Sequence, residues 1–125
     1  MLHRPGPAEA YRRVEIDAYI VGGEAAQMTR LCLAETIGAL NRALYFDSKA
    51  DGEARVNCLT KALSCIQALK LGVDRTQPLA EALLVVYGNA VGRLTRNMRI
   101  FDARAISALR QDFLEIEQAF AEAVA

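Results

Sequence analysis

From Glu24 onward apolar side chains return every three or four positions, the spacing of a helix with one buried face, and no segment alternates as a half-buried strand would. Gly22-Gly23 breaks the chain ahead of a first long helix, about Glu24 to Phe46, whose stripe is Ala26, Leu33, Ile37, Leu40 and Leu44. The turn-forming loop DSKADGE follows. A second helix runs from about Glu53 to Leu71 on Val56, Leu59, Leu63, Ile66 and Lys70, and Gly72 stands where a C-terminal cap belongs.

The linker VDRTQP leads to a third helix, with Thr76 as its expected cap and Pro78 in its first turn. This helix is expected to bury Leu79, Leu83, Val86, Tyr87, Ala90 and Leu94. Asp102 then opens a fourth, in which Ile106, Leu109, Phe113, Ile116 and Phe120 step by threes and fours. Long helices on short loops predict an all-α fold, an antiparallel four-helix bundle. Residues 1–10 read as a flexible tail, and residues 11–20 as a short N-terminal arm or helix. Residues 11–125 form a single helical-bundle domain.

Two positions disturb this pattern. In LLVVYGNAVGRL, Leu83 to Leu94, Gly88 and Gly92 stand one turn apart in a helix interior. Each costs about 1 kcal/mol relative to alanine. At 100° per residue from Leu83, the two glycines and Val85 gather on the back of the helix, away from the core arc. Either the strip packs inside the monomer, or it is a groove in which a partner helix comes close. The first helix carries a second apolar band as well, Met28, Leu31, Cys32, Ala39 and Phe46.

A length of 125 residues suits one domain with its own core, and 53% of them are hydrophobic. Fifteen basic residues balance fifteen acidic ones, so no net field draws nucleic acid or an anionic membrane. Arg93, Arg96, Arg99, Arg104 and Arg110 cluster around the third turn, but no aromatic platform is interleaved with them. The opening MLHRPGPAEAYRR lacks the apolar core and cleavage site of a signal peptide. Ala82 to Tyr87, the longest strongly apolar run, is far too short to span a bilayer. A cytoplasmic location without membrane insertion is expected, with Cys32, Cys58 and Cys65 reduced and serving as small apolar groups.

Catalytic patterns are missing. His3, the single histidine, lies in the tail, away from any nucleophile in the core. No Glu-x-x-His pair marks a di-iron bundle, and Gly22-Gly23 lacks the lysine and the strand of a phosphate loop. No enzyme, cofactor or metal is expected.

LTKALSCIQAL, followed by LLVVYGNAVGRLTRNMRIFD and an amphipathic last helix, resembles the flagellin export chaperone family, FliS. Leu59, Lys61 and Ala62 match the family's first element, and Ile66 and Leu69 its following step. Tyr87, Arg93 and Leu94 match the second element, Asp102 the last, and AYRRVEI with Tyr11 the short arm. The resemblance spans about residues 10–122. The chain is similar to a divergent member: Gly22-Gly23 replaces the usual Ser/Thr-Pro, no tyrosine stands near Met28-Thr29, and Asn97-Met98 is one place out.

The resemblance implies a non-enzymatic cytoplasmic chaperone for protein export in bacterial flagellum assembly. Its partner would be the C-terminal helical segment of flagellin, kept from premature polymerisation and delivered to components of the flagellar export gate. The arm would lie over the client groove until the client binds. Candidate partner-binding residues are Tyr11, Ile16, Met28, Leu31, Val85, Gly88, Gly92 and Arg96. The alternative is a helical interaction module without a flagellin client, using the same faces to form a homodimer.

Overall fold

A computed structural model describes residues 23–124, and every regular element in them is an α-helix. The helices are α1 (Gly23–Ser48), α2 (Gly52–Leu71), α3 (Ala80–Arg99) and α4 (Ala103–Val124). Their connections, residues 49–51, 72–79 and 100–102, are short enough to force sequence neighbours to run antiparallel. Helix α1 packs on α2 and α4, and α3 on α2 and α4, while the backbones of the diagonal pairs stay apart. This is the expected four-helix bundle. Tyr11, Ile16 and the rest of the arm lie outside the described residues.

The core is a column of Leu33, Leu40, Leu59, Ile66, Leu83, Tyr87, Leu94, Ile106, Phe113 and Phe120, all essentially without solvent contact. All five residues of the α4 stripe are buried. On α2 the buried stripe is Leu59, Ala62, Ile66 and Leu69, so of the expected stripe Leu63 and Lys70 are displaced to its edges and Val56 is exposed. Apolar residues surround α2 on most sides, so its own pattern does not single out the face that α1 and α3 cover. Ala39 is corrected likewise. It is fully buried rather than part of an outer band, because α1 is flanked by both α2 and α4 and its covered arc is wide.

The helix ends follow local chemistry. Asp51 caps α2 by accepting the Ala54 N–H at 3.1 Å, and Asp102 caps α4 by accepting the Arg104 N–H at 2.9 Å. The Gly72 N–H closes α2 by donating to the carbonyls of Ala68 and Leu69. Its φ of −80° is open to any residue, so glycine's freedom is not needed there. Thr76 does not cap α3. Its N–H and hydroxyl both donate to Asp74, at 2.9 and 2.6 Å, which builds a turn and postpones the helix to Ala80. Those bonds hold the Asp74 carboxyl below its ordinary range.

One end of the bundle is tied by Arg55, which donates to Asp47 at 2.9 Å and lies over the Phe101 ring at 4.8 Å. Arg110 on α4 donates to Asn41 on α1 at 3.0 Å. These links tie α2 to the turns at its end of the bundle and α4 to α1.

Candidate partner-binding surfaces beside α4

Helices α3 and α4 pack least closely of the four neighbouring pairs, and a cleft of about 530 Å³ opens between them. Its α3 wall includes Glu81, Ala82, Val85 and Val86, and its α4 wall Leu109, Phe113 and Ile116. Two alanines, Ala82 and Ala90, keep the α3 side low. Across the cleft the Arg93 guanidinium donates to Asp112 at 2.8 Å, with both side chains about one-third exposed. Apolar atoms form the floor and a paired charge closes one end.

The glycine strip lies on the outer edge of this wall. Val85, 47% exposed, belongs both to the cleft and to the strip. Gly88 and Gly92 are exposed, and a Cβ built on either would meet nothing within 4 Å. Among the described residues, the strip therefore packs against nothing. Arg96 continues it, exposed, one turn beyond Gly92.

A second groove, of about 660 Å³, runs along the other side of α4, between α4 and α1. Leu31 and Arg30 stand on one wall, Leu114 and Glu117 on the other. Met28 and Leu31 are 59% and 54% exposed. The candidate residues on α1 and those on α3 are thus divided between two surfaces separated by α4, because α1 and α3 are diagonal in the bundle. A single groove containing all of them does not exist.

The cleft's α4 wall, Leu109, Phe113 and Ile116, was not among the candidates. These residues read as core because they fall on the regular stripe of α4. Only the loose approach of α3 opens a cleft above these buried residues, and no single helix's periodicity carries that information. Asn97 was missed too. It is 6% exposed, its phase in α3 is that of the core, and that phase was its available signal.

Chemistry elsewhere is sparse. Cys32 on α1 and Cys65 on α2 are half-buried, and burial, the larger cause, raises both thiols above their ordinary range. Cys65, across the α1–α2 contact, raises Cys32 further. Among the described residues no group of three or more His, Cys, Asp or Glu is gathered to hold a metal ion, and no helix is long and apolar enough to cross a membrane. No protein-family model matches the chain, and no curated protein matches it as a relative.

Proposed function

We propose that this chain is a cytoplasmic export chaperone that holds the C-terminal helical segment of flagellin and keeps it from polymerising before export. The observation that carries the proposal is the bare strip at Gly88 and Gly92, which costs α3 helix stability and is used by no contact within the described bundle. A strip of that kind lets a foreign helix approach the α3 backbone closely, and the apolar α3–α4 cleft beside it supplies a floor. The motif resemblance of residues 59–102 to flagellin export chaperones names the client class. An unfolded client segment exposes apolar groups that associate with one another, and a carrier that covers them reversibly meets that need.

The work is done by binding alone. The segment is disordered before it docks, and ordering it costs several kcal/mol, which keeps affinity moderate and permits release at the export gate. Titration calorimetry of the full chain with a peptide of the last forty or so residues of flagellin tests the proposal. We expect saturable binding at one-to-one stoichiometry, with a negative heat-capacity change from apolar burial. No heat and no co-elution at any workable concentration sink it. A chain that instead self-associates into a stable dimer, excluding the peptide, identifies the homodimeric interaction module.

A further inference from the structure

The α3–α4 cleft is electrically polar along its length. At the end near the start of α3 the cleft wall carries Glu81, exposed. Beyond the other end, past Arg93 on α3 and at the start of α4, Arg96, Arg99 and Arg104 are exposed, and none of their side chains makes an ion pair among the described residues. The Arg93–Asp112 pair, which closes the cleft short of these arginines, is neutral as a unit. Thus the cleft carries acid at one end, and beyond its other end three arginines outnumber the exposed carboxylate of Asp102.

We propose that this cleft is a directional helix-docking site for an amphipathic helix that runs parallel to α3 and carries acidic residues in its C-terminal turn. The inference rests on the proposal that the protein holds a helical client, and adds where the client sits and which way it points. The argument is charge complementarity. A helix carries about half a positive charge at its N-terminus and half a negative charge at its C-terminus. Its N-terminus is favoured beside Glu81 and its C-terminus beside Arg96 and Arg99. Acidic side chains in the last turn add to that preference, and the opposite orientation places like charges together at both ends. From Glu81 to Arg93 the α3 axis rises about 18 Å, room for a helix of about twelve residues. Gly88 and Gly92 lower the outer lip, so a docked helix can lean over α3 without meeting a side chain.

The probe is a synthetic amphipathic peptide of about fourteen residues, with lysines in its first turn and glutamates in its last, beside a second peptide with those charges exchanged. Each carries a nitroxide at one terminus, and amide broadening is read by NMR on the full-length chain. The C-terminal label of the first peptide is expected to broaden amides around Arg96 and Arg99, and the N-terminal label those around Glu81. The Arg96→Glu, Arg99→Glu double variant, checked for unchanged helicity, should bind the first peptide about tenfold more weakly and the exchanged one more tightly, with a difference that shrinks in salt. Broadening centred on Leu31 and Leu114, a reversed polarity, or no binding at all overturns the proposal. The flagellin segment is titrated alongside. If it binds equally well to the double variant, the directional cleft fails and the chaperone stands. If the probe docks as described while flagellin does not bind, the chaperone fails and the cleft stands.

Discussion

The side-chain carbonyl of Asn97 accepts the backbone N–H of Asp102 at 2.8 Å. Its amide donates to the Arg93 carbonyl at 2.9 Å, so one buried side chain joins the last turn of α3 to the cap of α4. Asp102 in turn accepts the Arg104 N–H, and the three bonds set the angle at which the chain reverses. Replacing Asn97 with alanine leaves a carbonyl and an N–H without these partners, at a cost of about 1–3 kcal/mol. Urea unfolding should show a lower midpoint with an unchanged slope. Stability within a few tenths of a kcal/mol of the parent would show that water serves both groups equally well.

Ala50 makes a second test of a helix end. The Asp51 N–H donates to the Phe46 carbonyl and the Ala50 N–H to that of Asp47, each at 3.0 Å, the paired bonds of a Schellman C-cap. Ala50 takes the left-handed position with φ of 55°. A Cβ there costs about 1–2 kcal/mol, and glycine's greater freedom when unfolded returns part of that difference. Ala50→Gly should therefore raise stability by up to about 1 kcal/mol, and Ala50→Val should lower it. Thermal melts of the two variants, moving in opposite directions, are the check.

These two positions show what a periodic pattern conveys. The α4 stripe was legible because Ile106, Leu109, Phe113, Ile116 and Phe120 make one apolar face, and all five are buried. The α2 face was not, because Val56, Cys58, Leu63 and Cys65 compete with Leu59, Ala62, Ile66 and Leu69, and the choice belongs to its neighbours. Thr76 was a sound cap by composition, but Asp74, two residues away, offered its N–H and hydroxyl a nearer acceptor. For the candidate site, helix phase gathered Val85, Gly88 and Gly92 on the back of α3 but left open whether that strip is covered, and the structure shows all three exposed. The cleft beside them did not, since it depends on how far α3 stands from α4.

The half-buried thiols give a pH dependence. Burial raises Cys32 and Cys65 above the ordinary value of 9.0, so in the folded state they hold their protons at a pH where the unfolded chain has begun to release them. The unfolded state then binds fewer protons, and stability falls as pH rises. The contribution is whole below about pH 9 and is lost above it. Chemical unfolding between pH 7 and pH 10.5 should show a steeper loss in the parent than in a Cys32→Ala, Cys65→Ala variant. Thiol labelling of the native protein should also run slower than that of a free thiol at the same pH. Equal slopes and equal labelling rates count against it.

The two glycines of α3 carry the functional claim, and their substitution separates stability from binding. A Cβ at Gly88 or Gly92 enters open space, so neither position resists a larger side chain from within the bundle. Gly88→Ala and Gly92→Ala should each stabilise the protein by up to about 1 kcal/mol, because alanine is the better helix former. Gly88→Leu and Gly92→Leu should keep most of that gain and add bulk to the lip of the cleft. If a client helix lies against α3 there, the leucine variants lose binding while their midpoints in urea stay level or rise. The alanine variants are intermediate in binding, since a methyl group intrudes less than an isobutyl group. Substitution on the other groove, Leu31→Ala, removes exposed apolar area without touching α3 and should leave binding to the α3 face intact. Leucine variants that bind the flagellin segment as the parent does would remove the strip from the client surface. The glycines would then be a cost to α3 that no contact among the described residues offsets.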